Sequence, residues 1–442
     1  MVQTSHIAAI TAAGLCCGCG TCAGLCPTGS AIMQETPGGL LRAAVKEDTC
    51  TGCGLCLKTC PGSHLATKPD PGLMDGFRGP VISAWLAQAA DDGDLLQGQS
   101  GGAVTALLIH GIRTGAFSAA AVTAMPADGS LRPATRLVTS ERSIRDAQKS
   151  KYCPVAANTV LREIDRLAGK AAFVGLPCHV HGLMNAAAVI PRLRGKIAFV
   201  LGLFCTHVLS FAAMDALVAH SGTKRRSVKS LDFKNKRWRG WPGDTCVHDR
   251  AGRSVFVDGR VRLQMKCEFT PPRCRVCFDR LNVFADLSFG DPWLVANDPA
   301  GASVILVRSE AGARLLADAQ AEGILKLREI RSDDVLAGQA IEAKKKEFAR
   351  FSAAWRQLGR RPVDYGLPDK AYETDGQSLR PCIAILRDGF LLERATSRAV
   401  LLRRLRARRW LRQLHTFSSR IISNVCSLLP AGKLRQRKDV VT

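Results

Sequence analysis

Eight cysteines near the N-terminus fall into two runs of identical spacing, and this repeat restricts the fold more than any other stretch. The runs read Cys16-x2-Cys19-x2-Cys22-x3-Cys26-Pro27 and Cys50-x2-Cys53-x2-Cys56-x3-Cys60-Pro61, offset by 34 residues at every position. One tetrahedral zinc ion needs only four thiolates. Two copies, each closed by proline, suit iron–sulfur clusters, because three closely spaced thiolates wrap one cluster and glycines let backbone amides approach its sulfides. Structural zinc is the second reading, and disulfides the third. Most of the 18 cysteines sit in short clusters rather than spread along the chain as a disulfide framework would be.

Residues 10–66 resemble a bacterial two-cluster ferredoxin domain, including the "CPTGSAI" that follows the first run. In that pattern the fourth cysteine of each run crosses to the other cluster. The resemblance assigns Cys16, Cys19, Cys22 and Cys60 to one [4Fe–4S] cluster, and Cys50, Cys53, Cys56 and Cys26 to a second. Cys17 has no ligand role in this scheme and reads as a spare thiol.

The N-terminus lacks the basic and apolar regions of a signal peptide, and no apolar run is long enough to span a bilayer. A reducing cytoplasm is the expected location. At 442 residues, 46% hydrophobic and 23% charged, the chain has room for two or three globular domains. The Pro- and Gly-rich segment 67–80 reads as a linker. Beyond it, "KAAFVGLPC" and "GKIAFVLGLFC" are buried-strand runs, each ending in a turn and a helical pattern. Such units predict an α/β domain over 81–370 with a mostly parallel sheet. Cys178 and Cys205 lie just past two strand ends, and strand ends of a parallel sheet share the edge where open α/β folds place ligands. With Cys274-x2-Cys277 they make a candidate third cluster.

Cys267 is the rival ligand, whereas Cys153, Cys246, Cys382 and Cys426 read as small buried hydrophobes. Cys274 and Cys277 alone would also suit a redox dithiol or half a zinc site. "GQSGG" (98–102) opens a helix and suits a phosphate, although Ser100 as a helix cap explains it nearly as well. Lys149, Lys151 and Tyr152 in "QKSKYCPV" suit an anionic cofactor, with solvated lysines as the plain alternative. Trp238 and Trp241 in "DFKNKRWRGWPG" read as a packed loop, and His179, His181 and His207 as satisfied polar residues.

Taken in order, "GQSGGAVTALL", "KSKYCP", "GLPCHVHGL", "LFC", "KNKRWRGW" and "CRVCFDRLNVFADLSFGDPW" resemble the beta-subunit family of coenzyme F420-reducing hydrogenase and dehydrogenase over roughly residues 10–300. The resemblance implies an iron–sulfur flavoprotein oxidoreductase with FAD beside a [4Fe–4S] cluster. It makes Gln99, Ser100, Gly101, Gly102, Thr105, Lys151 and Tyr152 flavin-site candidates, and Cys178, Cys205, Cys274 and Cys277 the flavin-proximal cluster. Electrons would pass between the clusters and FAD, and on to or from coenzyme F420 or a similar two-electron carrier. An electron-relay subunit without its own substrate, or a ferredoxin-dependent reductase of an organic substrate, are the alternatives. No catalytic side chain is assigned.

From Arg380 onwards fifteen Lys and Arg stand against three Asp and Glu, half of the net charge of +24. With leucines at helical spacing, residues 371–442 read as a basic amphipathic helical tail. It would pack on the body, dock an acidic partner or lie on an anionic membrane surface, peripheral at its inner face. A redox partner protein or ferredoxin is expected as electron partner. No recognised module accompanies the basic residues, so nucleic acid is not expected.

Overall fold

The computed structural model describes residues 6–67 and 76–393. These residues form one compact unit. Its N-terminal module pairs β1 (Ala31–Glu35) with β2 (Leu41–Val45) in a hairpin, beside short helices Thr21–Leu25 and Leu55–Lys58. The 34-residue repeat persists in the backbone. Gly18 and Gly52 have φ of 76° and 67°, and the helix-capping Gly20 and Gly54 have 85° and 70°. A side chain at these positions is disfavoured, because left-handed φ is open mainly to glycine.

The body is built on strands β3 (Ser83–Ala89), β4 (Ala119–Ala124), β5 (Ala134–Val138), β6 (Ala171–Gly175) and β7 (Ile197–Leu203). A side sheet follows from β8 (Val228–Asn235), β9 (Asp244–Asp249) and β10 (Ser254–Val257). The main sheet is completed by β11 (Leu287–Gly290), β12 (Ser303–Val307) and β13 (Leu325–Glu329). Its order is β13-β3-β12-β11-β7-β6-β4-β5, and the side sheet runs β10-β9-β8.

The expected parallel arrangement holds at the centre, where β11, β7, β6 and β4 run parallel. Both flanks are antiparallel. Of the flanking pairs, β4 with β5 and β11 with β12 follow each other without an intervening helix, as antiparallel neighbours allow. The central strands are mostly apolar because both faces are covered. In β12, Val304 and Leu306 pack with Phe348 and Trp355, whereas Ile305 and Val307 pack with Leu107 and Leu315 of the opposite layer. The alternation is the period-2 geometry of a strand.

The segment read as a linker lies partly outside the described residues, and its end contributes buried Phe77 to the core beside Phe278 and Phe348. The segment read as a tail begins with helix Arg380–Glu393, which packs on helix Ile341–Gln357, with Phe390 and Trp355 rings 5.0 Å apart. Glu393 pairs with Arg42 of the N-terminal module. The leucine-and-arginine pattern from 394 onwards, with Cys426, lies outside the described residues.

The N-terminal module and the body meet over close backbone contacts. A Cβ at Gly24 would strike the Asn158 carbonyl, and one at Gly182 would strike the Thr21 hydroxyl. Among the described residues no helix is long and apolar enough to cross a membrane.

Candidate functional site

Strands β6, β7 and β11 all end at one edge, and their continuations carry the chemistry. The chain leaves β6 through Leu176-Pro177 into helix Pro177–Val189, whose second residue is Cys178. From β7 it reaches Cys205, whose N–H donates to the Arg280 carbonyl at 2.9 Å. From β11 it reaches Asp291. Buried Asn282 clamps the edge, because its side-chain amide donates to the carbonyls of Gly175 (2.8 Å) and Leu203 (3.2 Å) at the ends of β6 and β7.

A cavity of about 350 Å³ opens at this edge. It is lined by Gln99, Ser100, Gly102, Thr105, Lys151 and Tyr152, six of the seven residues that the resemblance gave to flavin, and by Cys205 and His207. Gly101 does not line it. Its N–H donates to Ser303 Oγ at 2.9 Å, its carbonyl accepts from Ala89, and a Cβ there would collide with the Ala87 carbonyl. The glycine lets the loop lie flat on the sheet. Gly102, with φ of 73°, caps helix Ala103–Arg113 in place of Ser100.

Ser100 instead donates to Asp291 Oδ1 at 2.5 Å. Asp291 also accepts from Lys234 Nζ (2.6 Å), Trp241 Nε1 (3.2 Å) and Gln99 Nε2 (3.3 Å). Burial works against both charges. Even so, Tyr152 and Asp291 lift Lys234 above the usual lysine pKa, and Lys234 holds Asp291 below the usual carboxylate value. Lys236 braces the loop from behind by donating to the carbonyls of Leu95, Ser100 and Ala300, and burial lowers its pKa to about 8. The basic stretch "KNKRWRGW" therefore builds the glycine-rich loop's support.

The lining is basic. Lys149, Lys151, Lys234, Arg262, Lys266 and Arg280 face one carboxylate, Asp291. Lys151 is turned to the backbone, donating to the carbonyls of Ala147, Gln148 and Lys149, and burial drops its pKa to about 7. The Arg262 guanidinium lies 4.2 Å from the Tyr152 ring centre. Four lining residues keep a buried polar atom without a hydrogen-bond partner: Gln99 Oε1, His207 Nε2, Arg262 Nε and Arg280 Nε. Such atoms are costly unless something polar meets them.

Of the three histidines, two are satisfied. His179 Nε2 meets the Val155 carbonyl at 3.1 Å, with burial lowering its pKa to about 4, and His181 pairs with buried Asp279 at 2.9 Å. His207 departs from that expectation. Burial, then Lys266 and Arg275, push it well below the ordinary histidine value.

The four body cysteines come together. Burial, then Cys274 and Cys277, push the Cys205 thiol up. Cys178 is raised by Cys17, by burial and by Cys205. Buried Arg273 and Lys344 pull Cys277 down against its burial. This is a thiol-rich pocket with fixed positive charge, fitted to an anionic cluster that requires deprotonated ligands. Cys267 is exposed, and Cys153, Cys246 and Cys382 are buried as expected.

In the N-terminal module Cys16, Cys22 and Cys60 share a buried cluster with Cys26 and Cys56 at its margin. The Cys19 thiol is raised by Cys17, by burial, and by Cys60 and Cys22; the Cys60 thiol by burial, and by Cys17, Cys16 and Cys22. Cys56 feels burial first, then Cys53 and Cys26. Cys53 is exposed and Cys50 half-buried. Among the described residues no three His, Cys, Asp or Glu side chains close on a single-ion position. A cubane sets a different requirement, because its thiolates bind separate irons at the corners of a block.

Family models for the two parts of the coenzyme F420 hydrogenase/dehydrogenase beta subunit match residues 84–162 (N-terminal) and 168–333 (C-terminal). The chain belongs to this family. It is an oxidoreductase of that type, and both cysteine runs lie ahead of the matched residues. Curated relatives include the coenzyme F420 hydrogenase subunit beta of Methanococcus voltae, 27% identical over 65% of this chain and 99% of that one. The corresponding Methanosarcina barkeri subunit is 25% identical over 58% of this chain and 85% of its own. The coenzyme F420-dependent sulfite reductase of Methanocaldococcus jannaschii is 25% identical over 69% of this chain and 46% of that enzyme. In fold, the chain resembles a chain of the F420-reducing [NiFe] hydrogenase complex from Methanosarcina barkeri, with TM-score 0.54 and 22% identity over 66% of this chain and 98% of that one.

Beside the cavity, His248 of β9 sits between Asp232 Oδ2 (3.2 Å) and Ser254 Oγ (2.9 Å), and Asp232 also pairs with Lys149 at 2.8 Å. Asp232, then Cys246, raise the His248 pKa to about 9. A raised folded-state value stabilises the fold fully below the unfolded value of about 6.5, and that contribution fades as pH climbs through 9. Thermal melts at pH 6 and pH 9.5 should show a loss on the order of 1 kcal/mol, given partial exposure. The loss should shrink in His248→Gln.

Proposed function

We propose that the chain is an iron–sulfur flavoprotein oxidoreductase, passing electrons between [4Fe–4S] clusters and FAD and on to or from a two-electron carrier. The names of its relatives favour coenzyme F420 as that carrier. The observation that carries the reading is the basic cavity with four unsatisfied buried polar atoms, lined by a cysteine of the four-thiol pocket. Bound there, a flavin supplies the junction between one-electron and two-electron chemistry.

The chain's own residues bind and orient. Arg262, Lys266 and Arg280 give the cavity the positive potential that a pyrophosphate or an acidic carrier seeks. Asp291 fixes Gln99 and Ser100, leaving Gln99 Oε1 free to accept from a ring N–H. His207, kept neutral by burial and neighbouring cations, offers one hydrogen bond from Nε2. Cys178, Cys205, Cys274 and Cys277 would hold the cluster beside the cavity, and the two N-terminal sets the clusters of a ferredoxin module. An external redox protein supplies or removes the electrons.

Anaerobic purification with iron, sulfide and flavin analysis tests the reading. About twelve irons and one FAD per chain are expected from three four-iron clusters and one flavin site. About eight irons without flavin would leave only the N-terminal module explained. Reduced F420 and reduced ferredoxin, offered separately to the loaded protein, then identify the carrier by which of them bleaches the flavin.

A further inference from the structure

The cavity's inner wall and its mouth are built differently. Inside, Asp291 ties down Gln99 and Ser100, and the Arg262 guanidinium covers Tyr152. Two apolar side chains line the cavity yet stay open to solvent, Trp293 at 39% exposure and Leu263 at 46%. Leu294, next to Trp293 in the chain, is 88% exposed. Single exposed apolar side chains are ordinary, but a group of them at the rim of a cavity marks a binding surface.

The turn that carries Trp293 is firmly held. The N–H groups of Val295 and Ala296 both donate to the Pro292 carbonyl, at 2.9 and 3.0 Å. Gln339 Nε2 donates to the Asp291 carbonyl at 2.8 Å, and a Cβ on Gly338 would collide with the Trp293 carbonyl. The Trp293 ring centre lies 4.6 Å from that of Trp241, whose Nε1 is itself bonded to Asp291. Lys234 Nζ stands 5.5 Å from the Trp293 ring centre and 5.9 Å from that of Tyr152. Aromatic rings and cations therefore alternate along this wall, from Trp293 at the mouth to Tyr152 and Arg262. A planar ring bearing negative charge finds stacking faces and cations side by side there.

We propose that Trp293 is the platform for the ring of the two-electron carrier, with Leu263 as a second apolar contact and Arg262 and Lys266 receiving the carrier's negative charge. The carrier is thus a planar, anionic molecule seated at the mouth. This rests on the reading of the cavity as a flavin site given above. The division of the cavity follows from exchange. A resident flavin takes the inner wall, whereas a carrier that enters and leaves at every turnover has to sit on the solvent side. Trp293 binds and orients the carrier, and no bond forms or breaks on it.

The test uses full-length, flavin-loaded protein purified anaerobically, as parent, Trp293→Ala, Trp293→Leu and Trp293→Phe. Coenzyme F420 is the probe, with its Kd read by titration calorimetry and flavin counted on the same samples. All four proteins should hold equal flavin. Trp293→Ala should weaken F420 binding about tenfold or more. Trp293→Leu, which keeps apolar bulk without a ring, should lose nearly as much, and Trp293→Phe should keep most of the affinity. Parent-like affinity in Trp293→Leu at full flavin content would overturn the platform alone. Loss of flavin from folded Trp293→Phe would overturn it by giving Trp293 to the resident cofactor. A flavin-loaded parent that does not bind F420 would remove the choice of carrier and the platform with it. A parent without flavin would remove the reading of the cavity on which both stand.

Discussion

Cys274→Ala should leave the protein with about four fewer irons and a flavin that no longer bleaches when the N-terminal clusters are reduced. Cys274 follows Pro271 at the start of the short helix Pro272–Arg275, its N–H bonded to the Pro271 carbonyl at 3.0 Å, so the backbone holds its thiol toward Cys205 and Cys277. Three remaining thiolates do not secure a cubane against loss. The N-terminal sets share no ligand with it and should keep their irons. The flavin itself should stay bound, because Cys274 does not line the cavity. Iron, sulfide and flavin counts on one sample read all three outcomes, and an unchanged iron count would refute the third-cluster assignment.

Asp291→Ala should produce the second large effect, loss of flavin together with a stability loss of about 3–5 kcal/mol. The carboxylate is the hub of the cavity wall, and its removal strands Lys234, which is only 4% exposed, as an uncompensated buried charge. It also frees Ser100, Gln99 and Trp241 from their shared acceptor. The double variant Asp291→Leu/Lys234→Met separates the two consequences, since replacing both partners of a buried pair by apolar groups is often neutral or stabilising. It should recover most of the melting temperature and little of the flavin. Recovery of both would mean that Asp291 acts through stability alone.

What the sequence disclosed follows the range over which its signals act. The two cysteine runs are spelled out within eleven residues each, and the apolar runs before Cys178 and Cys205 announce buried strands through local composition. The edge position of those cysteines then follows from topology. Asp291 gave no such signal. Its partners Ser100 and Lys234 lie 191 and 57 residues away, so its role exists only once β8, β11 and the glycine-rich loop converge. Helix Arg380–Glu393 was grouped with the basic stretch that follows it, although Cys382 and Leu386 are buried against the body. Charge dominated that reading where a short apolar face decides packing.

The fit between Gly24 and Asn158, and between Thr21 and Gly182, bears on how freely such proteins can be recombined. A ferredoxin domain is commonly treated as a cassette, exchanged between enzymes by cutting at a linker. Here the N-terminal module and its socket are keyed to each other by missing side chains on both sides. A transplanted ferredoxin with alanine at the Gly24 position would retain its own clusters yet sit displaced from the socket. Grafts onto this scaffold should therefore keep residues 15–26 of the host and vary the outer loop around Cys50–Cys56, where the wall is open.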